Sequence, residues 1–219
     1  MDPRLINLLP AKSNQHILKL ISQMGIVATP IYVDIKPEFD AENGSCFLNV
    51  KRKIDKSGGR AVLGWQFCEY PYMIEGEFHA VWESPEGSLI DITPGNFEEI
   101  NQILFVVDRS RNYDGIAIDN VRLNTTMNEL VDDIIEIEKA KFELNNYFYD
   151  CNGVIKNDIS YESKSYWILI NQFSDSLDEL LLFNGTLESP CFCNSGLKYE
   201  SCHRFELYEL MNKIRNIPW

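Results

Sequence analysis

A hairpin pattern occupies residues 77–93, with the sequences EFHAVWE (77–83), SPEG (84–87) and SLIDIT (88–93). The outer runs are rich in the apolar, β-branched and aromatic residues of strands, and Pro85 and Gly87 are typical turn residues. The stretch therefore predicts two antiparallel strands joined by a short turn. Side chains on one face of paired strands lie close together, so His79 and Asp91 can meet if the register permits.

Apolar periodicity divides the rest of the chain into helices and strands. The predicted elements are helices between residues 13 and 25, 46–58, 126–148 and 160–183, and strands at residues 30–37, 61–68, 103–107 and 116–123. Ser13 is the predicted cap of the first helix. Thr126 and Glu129 have the spacing of a capping box at the start of the third helix, and the fourth is predicted to break near Ser174.

This order of elements predicts an α+β protein in which the helix that begins at Cys46 packs on an antiparallel sheet. Helices follow the sheet, and a small cysteine-rich module follows the helices. The predicted boundaries are 1–125 for the α+β domain, 126–186 for the helical region and 187–219 for the module with its C-terminal helix. A chain of 219 residues with 45% hydrophobic residues can bury such a core.

The charge and hydropathy of the chain argue against several classes of partner. Lys and Arg number 20 against 33 Asp and Glu, a formal charge of -13, so a nucleic-acid backbone would be repelled. No apolar run has the roughly 20 residues that cross a bilayer, and the first residues lack the apolar segment of a signal peptide. We therefore expect a cytoplasmic protein that neither binds nucleic acid nor inserts into membranes.

The cysteines favour metal binding or catalysis over a disulfide framework, because six of them are spread unevenly over a long chain. Cys46 lies at a predicted helix N-terminus, where backbone N–H groups favour a thiolate. An imidazole held by a carboxylate activates such a nucleophile. Cys46, His79 and Asp91 are therefore the candidate nucleophile, base and orienting carboxylate.

Each of these three residues also has an ordinary structural interpretation. A cysteine on an apolar helix is usually in the core, a strand histidine is often a satisfied buried group, and an aspartate before Thr-Pro often caps a turn. Glu77 shares a strand face with His79 and is an alternative partner for its ring. The Cys46 N–H is one candidate oxyanion donor. The candidates for a second donor are Asn43, Asn49 and Gln66.

The order Cys46, His79, Asp91 resembles that of the transglutaminase-like branch of papain-type cysteine enzymes. In that family the cysteine begins a helix, and the histidine and aspartate lie on adjacent strands. The segments HAVWE (79–83) and DITP (91–94) are similar to the family's His-Ala-Trp-x-Glu and Asp-x-Thr motifs, with one added residue before Trp82. The resemblance implies a papain-like core and a triad of Cys46, His79 and Asp91 that acts on an amide bond.

The C-terminal segment SPCFCNSGLKYESCH (189–203) groups four residues that bind metals. Cys191 and Cys193 flank one residue, and Cys202 and His203 follow after eight more. Thiolates and an imidazole at this spacing suit tetrahedral zinc. Gly196 lies in the intervening turn, where it is free to adopt positive φ.

This segment closely resembles the SEC-C motif at the end of the SecA translocation ATPase. The motif has Pro-Cys-x-Cys-Gly-Ser-Gly, then Lys-Tyr, then Cys-Cys or Cys-His. Asn194 replaces the first glycine, and asparagine tolerates the left-handed backbone conformation. The resemblance implies a structural zinc ion, held by Cys191, Cys193, Cys202 and His203, in a module that docks a protein partner.

Two functions fit these patterns. The first is a thiol-dependent hydrolase or acyltransferase of the protease, deamidase or transglutaminase type, with a protein substrate and a zinc-stabilised docking tail. The second is a non-catalytic zinc-binding adaptor on a papain-like scaffold. No phosphate loop or dinucleotide fingerprint appears, so a nucleotide cofactor is not expected.

Overall fold

The computed structural model describes residues 8–95, 100–149, 155–156 and 159–217. These residues form two compact units. One holds the described residues up to Asp114 together with Asn120–Thr125, and the other holds Gly115–Asp119 and the described residues from Thr126 onward. In the described ranges, every helix is too short or too polar to cross a lipid bilayer.

The first unit contains two helices and six strands in its described part. In chain order these are α1 (Gln15–Gln23), β1 (Ile31–Ile35), α2 (Cys46–Ser57), β2 (Arg60–Glu69), β3 (Met73–Glu83), β4 (Leu89–Asp91), β5 (Gln102–Val107) and β6 (Val121–Asn124). The predicted hairpin is confirmed as β3 and β4, which pair antiparallel through Trp82 and Ile90. The predicted strand at 116–123 is too long, because only its last part, extended to Asn124, is a strand.

Five of these strands close into a barrel. They are hydrogen-bonded in the order β2-β5-β1-β4-β3, and β3 pairs back onto β2. β6 lies beside the first part of β3. All pairings are antiparallel except that of β1 with β4. The expectation of a purely antiparallel sheet is wrong at this pair, because β4 reaches β1 through a connection long enough to return in the same direction.

Side chains of β3 alternate between the barrel interior and helix α2. The interior holds apolar side chains from all five barrel strands: Ile31, Val33, Ile35, Val62, Val81, Leu89, Ile103, Phe105 and Val107. Because Val81 belongs to this cluster, Glu77 and His79 share its face of the strand. Ala80 lies on the opposite face and packs with Cys46 of α2. The alternation thus turns His79 toward the barrel and brings α2 against its outer surface.

Helix starts differ from the predicted ones by one or two residues. Asn14 caps α1 and Asn128 caps α3, where Ser13 and Thr126 were expected. In both cases the asparagine side chain accepts hydrogen bonds from the first-turn N–H groups. Asparagine, serine and threonine have similar capping strength, so the sequence does not separate such close neighbours.

The second unit is helical. It contains α3 (Glu129–Phe148), α4 (Tyr161–Leu182), a short 3-10 turn (Tyr199–Ser201) and α5 (His203–Arg215). The three α-helices share one apolar core, and the Tyr199 ring is fully buried in it. α4 is continuous, so the expected break near Ser174 is wrong. The core therefore extends from α3 to the cysteine-rich segment.

A buried carboxylate joins α3 to that segment. Asp133 has 0% exposure and accepts hydrogen bonds from Arg204 Nε at 3.0 Å, Tyr208 OH at 2.8 Å and Tyr199 OH at 3.3 Å. These bonds satisfy a charge that would be costly to bury alone. Because Tyr199 and Arg204 lie on either side of Cys202 and His203, the network fixes the C-terminal segment on α3.

Candidate active site and metal-binding cluster

Cys46 is the first residue of α2 and lies next to a cavity. Gly44 precedes it with φ 72°, a conformation that favours glycine and lets the chain turn into the helix. Cys46 is 6% exposed. The Ser45 side chain makes no capping hydrogen bond, and the N–H groups of a first helical turn have no partner within the helix. The sulfur therefore lies at the positive end of the helix dipole.

His79 and Asp91 are in contact. Nε2 of His79 lies 3.1 Å from Oδ2 of Asp91, and both side chains are buried. The other carboxylate oxygen accepts the Thr93 N–H at 3.0 Å. The β3–β4 ladder ends close by, which lets the two side chains meet diagonally across the strands. Asp91 rather than Glu77 is thus the residue that holds the ring.

The Cys46 side chain also interacts with His79, and the two residues line one cavity. Burial disfavours a charged imidazole, but the interactions with Asp91 and with Cys46 outweigh burial and raise the pKa of His79 to about 10. At neutral pH these interactions favour the protonated ring. The structure brings together the sulfur, the imidazole and the carboxylate that the sequence singled out.

Asn49, one of the candidate oxyanion donors, uses its side chain for other hydrogen bonds. Its side chain is buried one turn after Cys46, where Oδ1 accepts the Glu42 N–H at 3.0 Å and Nδ2 donates to the Glu42 carbonyl oxygen at 2.8 Å. Nδ2 also lies 3.2 Å from Oγ1 of Thr93. Since the Thr93 N–H binds Asp91, Asn49 links α2 to the triad. Its place on the buried face of α2 is the one sequence signal for this role.

A cavity of about 260 Å³ opens beside the three residues. Its polar wall includes Asn43, Gln66 and Glu77, and its apolar wall includes Ile35 and Ile103. Gln66 and Glu77 are directly opposite each other on β2 and β3. Two of the three candidates for a second oxyanion donor, Asn43 and Gln66, thus border the space that a substrate would enter.

Cys191, Cys193, Cys202 and His203 lie close enough to hold a metal ion. Their ligand atoms are all within 4.8 Å of one another. The Sγ atoms of Cys193 and Cys202 are 3.6 Å apart, and His203 Nδ1 lies 3.3 Å from Cys191 Sγ. Tetrahedral zinc with bonds of about 2.3 Å to sulfur separates two thiolates by roughly 3.8 Å. The donor set and its spacing therefore fit zinc.

The backbone around this cluster has the conformation that its sequence suggests. Asn194 has φ 59° and Gly196 has φ 80°, so both take the left-handed conformation. The second ring nitrogen of His203, Nε2, lies 3.5 Å from a carboxylate oxygen of Glu206. A carboxylate at this position orients a metal-binding imidazole. Glu206 was not singled out in the sequence, although its place three residues after a histidine on a helix is such a signal.

No protein-family model, curated protein or solved structure matches this chain. The resemblances to the papain-type enzymes and to the SEC-C motif therefore depend on the residues themselves and on the geometry above.

Proposed function

We propose that the first unit is a thiol enzyme that cleaves or transfers the acyl group of an amide through a thioester on Cys46. The observation that carries the proposal is the His79 ring, which is hydrogen-bonded to Asp91 and lines the same cavity as Cys46. A cysteine at a helix N-terminus beside an imidazole that a carboxylate orients has the arrangement of an activated nucleophile. The resemblance to transglutaminase-like enzymes agrees with this chemistry.

The reaction follows from these positions. The Cys46 thiolate attacks the amide carbonyl carbon, and the Cys46 N–H stabilises the oxyanion that forms. His79 gives its proton to the departing amine as the carbon–nitrogen bond breaks, which leaves a thioester and a neutral imidazole. Water or a second amine then attacks the thioester while His79 takes a proton from it. Loss of the thiolate completes the cycle, and Asp91 stabilises the imidazolium in the steps where the ring carries the extra proton.

The test is the rate at which iodoacetamide alkylates individual cysteines, followed by mass spectrometry of the cysteine peptides at pH 7. Burial raises the pKa of Cys68 to about 12, so this thiol is an internal control for slow alkylation. We expect Cys46 to react at least tenfold faster than Cys68 and to slow at least tenfold in His79→Gln. Equal alkylation rates at Cys46 and Cys68 in the intact chain would refute the proposal that the first unit is a thiol enzyme. Cys151 lies outside the described residues.

We further propose that the C-terminal cluster holds one structural zinc ion through Cys191, Cys193, Cys202 and His203. A closed set of four protein ligands leaves no position for a substrate. Elemental analysis of the purified chain should give about one zinc per chain. Cys191→Ser should remove most of it, and the control Cys68→Ser should not. A zinc content near zero in the intact chain would contradict this assignment.

A zinc-binding adaptor without catalysis is the second candidate function. Two apolar side chains of the cysteine-rich segment and α5, Leu197 and Phe205, are 53% and 69% exposed, which suits a surface that docks a protein. This function becomes the preferred one if Cys46 proves unreactive while the purified chain retains its zinc.

A further inference from the structure

The cavity beside Cys46 has an apolar wall, and among the described residues that line it Glu77 is the acidic residue without an ion-pair partner. Ile35 and Ile103 supply apolar surface, and Glu77 lies on the same strand face as His79. Residues two apart on one face of a strand are separated by about 7 Å. A residue whose backbone carbonyl lies at Cys46 would therefore extend a long side chain along the isoleucines toward the Glu77 carboxylate.

Glu77 differs from the other acidic residues of its strand. Glu75 is paired with Arg122 at 2.8 Å, Glu83 with Arg60 at 2.8 Å, and Asp91 of β4 with His79. In the described part of the chain, no side chain donates a hydrogen bond to the Glu77 carboxylate. Glu77 is an exposed residue that lines the cavity. A cation of a substrate in the cavity can therefore reach the Glu77 carboxylate and form a charge-assisted hydrogen bond with it.

The size of the cavity limits what enters it. At about 260 Å³ it lies just below the usual range for a drug-sized ligand, so it suits one long side chain rather than a folded segment. Lysine and arginine have the matching form, because their methylene stems pack on apolar surface while the charged end reaches a polar group. The formal charge of -13 would also attract basic substrates.

We infer that this cavity binds a cationic side chain of the lysine or arginine class, carried by the substrate, with Glu77 as the residue that recognises its charge. Gln66, opposite Glu77, supplies a further hydrogen-bond acceptor for the N–H groups of that cation. The inference rests on the proposed function, because the cavity is a substrate site only if Cys46 is the nucleophile. Asp91 remains committed to His79 and takes no part in this recognition.

The charge preference of Cys46 can be measured with methanethiosulfonate reagents of matched reactivity. The thiolate attacks the sulfenyl sulfur, a mixed disulfide forms and methanesulfinate departs, so no further oxidant is needed. The three probes are the cationic 2-aminoethyl, the anionic 2-sulfonatoethyl and the neutral methyl reagents. Mass spectrometry of the Cys46 peptide gives each rate in the full chain, and the neutral reagent reports whether the thiol is intact.

We expect wild-type protein to react faster with the cationic than with the anionic reagent, and Glu77→Gln to lower this ratio about tenfold. Glu77 and Cys46 line the same cavity, and a unit charge at a separation on the order of 7 Å changes the local concentration of a monovalent ion by several fold, in opposite directions for the two reagents. Glu77→Asp, which keeps the charge, should retain most of the preference.

The matched control is Glu83→Gln, which changes the net charge by the same amount. Glu83 lies roughly 20 Å from Glu77 along β3, a separation beyond the Debye length at physiological salt. This control should alter the ratio less than twofold. An unchanged ratio in Glu77→Gln, with Cys46 still reactive toward the neutral probe, would overturn the recognition role of Glu77. The proposed enzyme would not be affected by that result. Failure of all three reagents to modify wild-type Cys46 would overturn the proposed enzyme and this inference with it.

Discussion

Replacing Asp133 by asparagine should loosen the cysteine-rich segment from α3. The substitution keeps the shape of the side chain but removes the charge that faces the Arg204 guanidinium. Arg204 approaches both carboxylate oxygens, with Nε 3.0 Å from Oδ2 and a terminal nitrogen 3.1 Å from Oδ1. Asparagine presents one oxygen and an NH₂ group, so one of these contacts becomes a clash between two donors.

The size of the effect follows from burial and exposure. Breaking a fully buried ion pair by removing one partner costs about 3–5 kcal/mol. The Arg204 side chain is 26% exposed, so water can rehydrate part of the guanidinium and the cost falls. We therefore expect Asp133→Asn to lower the free energy of unfolding by about 2–3 kcal/mol, less than for a fully buried pair because Arg204 is partly exposed.

Hydrogen exchange measured by mass spectrometry on peptides of α5 tests this expectation. A loss of about 2–3 kcal/mol corresponds to exchange roughly 30- to 150-fold faster, if the unit opens as a whole. The matched control is Asp132→Asn at the neighbouring exposed position of α3, which should change exchange less than threefold. Equal protection of α5 in Asp133→Asn and Asp132→Asn would refute the role given to the buried carboxylate.

Three further predictions concern the first unit. The pKa of His79 is raised from 6.5 to about 10. The protonated ring therefore stabilises the fold fully below about pH 6.5, and this contribution to the free energy of unfolding is lost as pH rises toward 10. Urea unfolding should show the wild-type protein losing stability over that pH range relative to His79→Gln. Gly64→Ala should cost about 2–3 kcal/mol in the same assay, because an added Cβ would overlap the Val106 carbonyl oxygen. Asn49→Ala should cost about 2 kcal/mol and slow Cys46 alkylation, because it leaves the Glu42 backbone groups without their side-chain partner.

Local patterns in the sequence were sufficient for the hairpin and for the start of α2. The turn residues between β3 and β4 and the apolar periodicity after Gly44 are short-range signals, and the structure confirms both elements. The four residues that lie close enough to hold a metal ion were also visible, because they belong to one short segment. Each of these predictions depends on residues that are close in the chain.

Long-range features could not be predicted in the same way. Closure of the barrel needs β2 to meet β5 about forty residues later, and no local pattern specifies this pairing. From the sequence, Asn49 was a candidate oxyanion donor and Glu77 a possible partner of His79. The contacts that these two side chains make depend on the strand face or loop that lies beside them, and this is determined only when the barrel has assembled.

Barrel closure has a consequence for the way the nascent chain folds on the ribosome. β1 and β2 acquire their second neighbours only when residues 102–107 have been synthesised, since β5 pairs with both. Until then each presents an unpaired edge to other chains. A truncated product that stops before Gln102 should therefore aggregate rather than accumulate as a soluble intermediate, and holdase chaperones should bind it in preference to the finished protein.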